Sequence, residues 1–324
     1  MIPATWRTRT AGGTNSEGNT DMNVTLTGAT GRIGTELVKA LRARGDQVTV
    51  LSRNPDAAGQ SLGPDVEAVA WDPAAGPAPA AVLSGRDAVV HLAGEDVGQR
   101  WNEVTKQAIR ESREIGTRNL VAGLRSADPR PAVLVSGSAT GYYGPHGDEP
   151  VDETAGPGAG FLADVCVAWE READAASELG LRVIKLRTGI VLTADSGALQ
   201  KMLPPFKAGV GGPTGGGHQY MPWIHLEDEV GLLLAALDSH GFSGPVNGSA
   251  PRPVTNREFA KALGKALGRP AVLPTPAFAI KALFGEMSEI VLTGVRAVPG
   301  RADTLGYTFE HPEIGEALRS TLGR

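Results

Sequence analysis

Residues 24–53 constrain this chain more than any other stretch: VTLTGATGRIGTELVKALRARGDQVTVLSR. A short apolar run with Val24 and Leu26 ends in Thr27-Gly28-Ala29-Thr30-Gly31-Arg32-Ile33-Gly34. Apolar residues then recur at Ile33, Leu37, Val38 and Leu41, the spacing of one helix face, until Gly45 stops it. Val48, Thr49, Val50 and Leu51 follow as a second, β-branched run. Strand, glycine turn, helix and strand within about thirty residues make a βαβ unit. Gly28 turns the chain sharply off the strand, Gly31 lets the backbone approach a pyrophosphate with no Cβ in the way, and Gly34 lets helix and strand touch. Thr30, Arg32 and Ile33 complete the turn, and the free N–H groups at the positive end of the helix are the expected phosphate donors. A glycine triplet alone also fits an ordinary loop; the strands and helix around it single this one out.

The end of the second strand is where a ribose would be read. An NAD-specific site places Asp or Glu there, whereas this chain offers Ser52 and Arg53. A guanidinium forks onto a 2′-phosphate, so the expected cofactor is NADP(H). The plain alternative for Arg53 is a solvated residue after a strand.

The remaining strands and helices alternate. Val66–Trp71 reads as a strand closed by Asp72-Pro73, with the Asp72 carboxylate where an adenine or ribose would lie or simply in a turn. Asp87–Leu92 is a buried strand followed by small Ala93 and Gly94, then Glu95 and Arg100 in a loop and a long helix over Trp101–Leu124. Ala132–Ser136 is the next strand, running into Gly137-Ser138-Ala139-Thr140-Gly141-Tyr142-Tyr143-Gly144. A helix over Leu162–Leu179 and a strand over Arg182–Leu186 follow. Such alternation predicts an α/β, doubly wound parallel sheet of Rossmann type with ligands at the carboxyl ends of its strands.

From Gly189 the rhythm changes. The expected division is a Rossmann domain over residues 22–188 and a smaller α/β, substrate-side region over 189–324, part of which returns to the sheet. That region holds a glycine-rich loop at 209–217, then Gln219 and the Pro222-Trp223-Ile224-His225 segment. Thr255-Asn256-Arg257-Glu258 is a capping box that opens a helix to about Leu267. The glycine-rich loop with Gln219 suits hydroxyls or phosphates as a substrate wall, or is a flexible surface loop.

A formal charge of −5 over 324 residues argues against a nucleic-acid or anionic-membrane surface. Cys166 is the single cysteine, which excludes an internal disulfide and suits a reducing cytoplasm. Residues 1–21 are polar and lack the apolar core of a secretory signal; they read as a disordered lead-in. The six histidines are scattered without metal-ligand spacing, so no metal is expected. The expected partner is a small-molecule substrate, with a homodimer as the assembly to test for.

With TGATGRIG, HLAG, SGSATGYYG and LRTGIVL in this order, the chain resembles the extended short-chain dehydrogenase/reductases. It is most similar to the epimerase family proteins, which are like NAD-dependent epimerase/dehydratases but carry a C-terminal domain of unknown function. The resemblance runs through HLAGEDV, the WERE helix, GGPTGGGHQYMPWIHLED and RAVPGRADTLGYTFEHPEIGEAL. It implies NADP(H) held by Gly28, Gly31, Gly34, Ser52, Arg53, the Asp72 turn, Leu92, Ala93, Gly94, Glu95 and Arg100, and it puts Ser138 where a hydroxyl bonds the reacting carbonyl oxygen.

The group's usual acid/base pair is a Tyr followed four residues later by a Lys that lowers the tyrosine's pKa. Registering on Glu170 puts Leu162 at the tyrosine position and Cys166 at the lysine position. Neither side chain does that work, although Cys166 remains a candidate cofactor contact or a packed thiol. The other candidate proton carriers are Tyr143 and His225, each with a structural alternative. Two functions follow: an NADP(H)-dependent oxidoreductase or epimerase-like enzyme for a small polar carbonyl or nucleotide-sugar-like substrate, or a non-catalytic NADP(H)-binding partner protein.

Overall fold

The computed structural model describes residues 21–324; the reading of 1–21, apart from Asp21, lies outside the described residues. Seven parallel strands form the central sheet: β1 (Asn23–Thr27), β2 (Gln47–Ser52), β3 (Glu67–Ala70), β4 (Ala88–His91), β5 (Val133–Ala139), β6 (Arg182–Thr188) and β7 (Gly244–Gly248). Their spatial order is β7-β6-β5-β4-β1-β2-β3. The order reverses between β1 and β4, so a crevice opens there at the strands' carboxyl ends, where doubly wound sheets take their ligands.

Both faces of the sheet are covered, which is why the inner strands are buried over most of their length. Along β4, Ala88 and Val90 join one apolar cluster and Val89 the other. The first cluster is filled by α1 (Arg32–Arg44), through Leu37, Val38 and Leu41. The second takes Leu120 and Leu124 of α2 (Glu103–Ser126) and Ala173 of α3 (Phe161–Asp174). A later helix, α4 (Leu226–Asp238), adds Val230, Leu233 and Leu237 to the first cluster.

Two differences from the sequence reading bear on the site. β5 continues past Ser136 to Ala139, because Gly137, Ser138 and Ala139 pair with Leu186, Arg187 and Thr188 of β6. Ser138 is therefore held on a strand and not in the loop beyond it. The helix expected over Leu162–Leu179 ends at Asp174; a separate helical turn, Ser177–Leu179, follows and closes at Gly180 with φ +88°.

The second half returns Gly244–Gly248 to the edge of the sheet beside β6. Its own apolar cluster gathers Leu199, Trp223, Phe259, Leu263 and Leu318. Ile190–Leu192 pairs in parallel with Trp223–His225. Thr255 and Glu258 make the capping box, each side chain bonded to the other's backbone N–H, and the helix runs over Asn256–Leu267.

Candidate cofactor and active site

The glycine turn is built as a phosphate cradle. Gly28 leaves β1 at φ +70°, and a Cβ there would lie 2.6 Å from the carbonyl carbon of Leu92; a Cβ on Gly34 would lie 2.3 Å from the Gly28 oxygen. Neither position has room for a side chain. Gly31 is different: its nearest obstacle is the Gly28 oxygen, 3.3 Å from a Cβ, and it begins α1 without any side-chain cap. The first-turn N–H groups of α1 are thus left for an outside acceptor, which fits a dinucleotide pyrophosphate. Thr30 is exposed, Ile33 packs against the first core cluster, and Arg32 is engaged by Glu36 at 2.9 Å and Asp195 at 3.3 Å.

At the end of β2 the Ser52 hydroxyl donates to the Asn54 carbonyl and accepts from its N–H, both at 3.2 Å. Arg53 beside it is exposed and makes no ion pair among the described residues. Asp72 is also exposed, and its Oδ1 accepts the Ala74 N–H at 3.0 Å, which is a turn cap. After β4 the Leu92 N–H donates to the Thr27 carbonyl at 3.2 Å and the Ala93 N–H to the Thr27 hydroxyl at 3.3 Å. Gly94 lies against the Arg113 guanidinium, and the Glu95 N–H donates to Ser112 Oγ at 3.0 Å. Arg100 is exposed beside Gly285.

On the other side of the crevice a buried polar chain links three strands and a helix. The Ser138 hydroxyl donates to Glu170 Oε1 at 2.7 Å, and Arg187 donates to both Glu170 oxygens, at 2.8 and 2.9 Å. Arg187 Nη1 also reaches the Tyr143 hydroxyl at 2.9 Å, which in turn donates to Asn247 Oδ1 at 2.7 Å. The Tyr142 ring lies 3.5 Å from the Arg187 guanidinium carbon. Burial opposes the Arg187 charge, but the Glu170 bonds and charge override it and raise its pKa.

Tyr143 has no exposed surface. Burial pushes its pKa up to about 12 against the pull of the Arg187 charge. Its proton is committed to Asn247, the bonding of a group that fixes its neighbours. Leu162 packs beside Gly141, and Cys166 is buried close to Ala139. These contacts place both positions expected for the group's acid/base pair against the end of β5. Burial first, then the Glu170 charge, pushes the Cys166 thiol up to about 11, so no thiolate forms near neutrality.

His225 belongs to a different network. Its Nδ1 accepts the Glu227 N–H at 3.2 Å as the cap of α4, and its ring lies 3.7 Å from that of His311, centroid to centroid. Burial and then the His311 charge lower its pKa to about 4. His311 has Glu227 2.8 Å from one ring nitrogen and Glu316 2.9 Å from the other; burial opposes its charge, yet these carboxylates raise its pKa. His225, Glu227 and His311 therefore cluster in space, which positions 225, 227 and 311 do not announce in the sequence. In the glycine-rich loop region, Gln219 spends its amide on the carbonyls of Thr214 and Val291, at 3.2 and 2.9 Å. Trp223 is fully buried.

The residues that sequence reasoning passed over are Glu170 as an acceptor, Asn247 and Arg113. Glu170 is the one charged residue on the buried face of α3, among Val165, Trp169 and Ala173, and that is the signal that could have found it.

Switch-point crevice, side-chain-free glycine turn and uncapped helix end together define a nicotinamide-dinucleotide-binding α/β protein. Residues 24–247 match the NAD dependent epimerase/dehydratase family, and residues 275–321 match a domain of unknown function, DUF1731. The chain belongs to the NAD dependent epimerase/dehydratase family. It is 42% identical to epimerase family protein Mb2239 of Mycobacterium bovis over 91% of this chain and 96% of that one. It is 39% identical to the Homo sapiens epimerase family protein SDR39U1 over 93% of this chain and 100% of that one. The crystal structure of the human protein's isoform 2 with NADPH superposes with a TM-score of 0.82 at 36% identity, covering 94% of this chain and 100% of the other. A nucleoside-diphosphate sugar epimerase from Corynebacterium glutamicum superposes at 0.76 and 32% identity, covering 94% of this chain and 59% of the other. Among the described residues no helix is long and apolar enough to cross a membrane.

Proposed function

We propose that this chain is an NADP(H)-dependent oxidoreductase that exchanges a hydride with a small polar carbonyl compound. The observation that carries the reading is the combination of an uncapped, glycine-lined helix end with an exposed Arg53 at the carboxyl end of β2. The first accepts a pyrophosphate and the second a 2′-phosphate. The NADPH in the human relative's structure supports the same choice. Ser138, held on β5, is the hydroxyl that turns from Glu170 to the substrate oxygen.

The side chains at the acid/base positions favour reduction over epimerisation. Epimerising a nucleotide-sugar-like substrate through a ketone takes a proton away and later returns it at the same oxygen. Leu162 and Cys166 provide no base for the first of these steps. Reducing a carbonyl needs one proton, which water supplies. The same two residues favour a second reading, a non-catalytic NADP(H)-binding protein that acts through a partner.

The test is to load purified protein with NADPH and follow nicotinamide absorbance across carbonyl compounds and nucleotide sugars. Turnover that is lost in Ser138→Ala supports the oxidoreductase. Tight NADPH binding with no turnover on the panel supports the binding protein, and failure to take up either coenzyme overturns both.

A further inference from the structure

We infer that Arg113 supplies, from α2, the positive charge that the absent lysine of α3 would have set beside the nicotinamide end of the cofactor, and that the site thereby discriminates against the oxidised coenzyme. The inference rests on the NADP(H) reading proposed above.

Arg113 is placed where β4, α2 and α3 meet. Its guanidinium lies against Gly94, where a Cβ would be 3.2 Å from Cζ and 3.3 Å from Nη2. A Cβ at position 94 would make it give way by a few tenths of an ångström. The guanidinium carbon also sits 5.1 Å from the centre of the Trp169 ring, which comes from α3. Nη1 donates to the carbonyls of Glu95 and Ile109 at 3.0 and 3.1 Å. Neither Nε nor Nη2 has a hydrogen-bond partner among the described residues, and no carboxylate lies within ion-pairing distance.

This is an unusual place to leave a cation. A half-buried guanidinium held by two carbonyls and, at 3.5 Å, the Ser112 hydroxyl has given up water without a direct ion pair, the Glu95 and Asp96 carboxylates acting on its charge only from a distance. Burial accordingly lowers its pKa, but an arginine remains charged regardless. Cys166, at the lysine position, is among the groups its charge acts on. The chain thus has a cysteine at the lysine position of α3 and sets a cation against Trp169 of the same helix, approaching from α2.

The replacement is not equivalent. A lysine both carries charge and exchanges protons, whereas a guanidinium carries charge alone. Its effect falls on the coenzyme's own charge: the oxidised nicotinamide ring is cationic and the reduced ring neutral, so a fixed cation nearby weakens binding of NADP+ relative to NADPH. A site of this kind loads the reduced form and releases the oxidised one.

The experiment is to titrate the whole protein with NADPH and with NADP+ by calorimetry, for the native chain, R113K and R113Q. The native chain is expected to bind NADPH at least about tenfold more tightly than NADP+, R113K to keep that ratio, and R113Q to reduce it by about tenfold. An unchanged ratio in R113Q overturns the inference, as does an equal loss of affinity for both coenzymes, which is what a purely structural role gives. Should R113Q melt below the assay temperature, R113M keeps the bulk over Gly94 and Trp169 without the charge and is judged by the same ratio. If the native chain binds NADPH and NADP+ equally, the inference falls while the cofactor assignment stands; if it binds neither, the cofactor assignment itself has failed.

Discussion

Arg187 closes on Glu170 through two hydrogen bonds, Nε to Oε1 at 2.8 Å and Nη2 to Oε2 at 2.9 Å, with both side chains more than nine-tenths buried. Ser138 hangs from the carboxylate end and Tyr143 from the guanidinium end. The pair thus ties the end of β5 to β6 and α3 and sets the position of the one hydroxyl proposed to meet substrate. A buried pair of this kind adds little net stability when whole but is costly to break, because the survivor stays buried and uncompensated.

Glu170→Gln is therefore expected to lose about 3–5 kcal/mol in denaturant unfolding. Ser138→Ala, which removes a single hydrogen bond to a charged acceptor, should lose about 1.5–3 kcal/mol. Replacing both members of the pair by methionine should cost less than Glu170→Gln alone. A double variant as unstable as the sum of its single variants would show that the two charges do not compensate each other.

The stability of this fold should be bounded by pH on both sides, for different residues. Burial holds His91 at about 4, below the ordinary 6.5. Between those values the unfolded chain binds a proton there and the folded chain does not, so stability falls as pH drops from 6.5 towards 4. Burial raises Glu229 to about 8 from 4.5. Its folded form keeps a proton that the unfolded form gives up, so that contribution is complete below pH 4.5 and lost as pH rises towards 8. Glu229→Gln is expected to remove the fall in stability between pH 4.5 and 8, so that from 4.5 to 6.5 the His91 contribution shows without that offset. A variant that follows the native curve above pH 7 would rule out Glu229 as its cause.

The fold was legible because its information is local. Gly34 meets a steric demand inside one βαβ unit, Gly28 turns off its strand there at φ +70°, and the apolar run of β4 announces burial on both faces. The proton-handling side was much less so, because its partners are far apart in sequence. Tyr143 looks like a candidate acid beside Ser138 until Asn247, from the last strand of the sheet, takes its proton. His225 is a candidate proton carrier or a structural imidazole until His311 is found against it, 3.7 Å away between ring centres. Arg113 sits on a helix with many exposed charges, and only the approach of Gly94 and Trp169 distinguishes it.

Arg53 gives a prediction about coenzyme choice. It is exposed and has no carboxylate to hold it among the described residues, so removing it should disturb little else in the protein. Arg53→Ala is expected to weaken NADPH binding by about ten- to a hundredfold, the range of one charge-assisted hydrogen bond, and to leave NADH binding nearly unchanged. Parallel titrations with the two reduced coenzymes measure this, and an unaltered preference would remove Arg53 from the phosphate site.

The glycine turn separates folding from binding at two positions three residues apart. At Gly34 an added Cβ would meet the Gly28 carbonyl oxygen at 2.3 Å and the Ala29 Cα at 2.7 Å. Both are backbone atoms of the same turn and have little freedom to move. Gly34→Ala should therefore act on stability, costing about 1–3 kcal/mol or more as overpacking. At Gly31 the backbone has φ −72° and ψ 166°, a conformation open to alanine, and its only close neighbour at 3.3 Å has to yield by a few tenths of an ångström. Gly31→Ala should melt much closer to the native protein than Gly34→Ala, because only the Gly28 oxygen borders the space the methyl enters and it has a few tenths of an ångström to give. That space belongs to the pyrophosphate in the proposed complex, so the same variant should lose about tenfold or more in affinity for NADPH. Melting curves and coenzyme titrations on the two variants check the division, and a Gly31→Ala protein that binds NADPH as the native chain does would move the pyrophosphate off this turn.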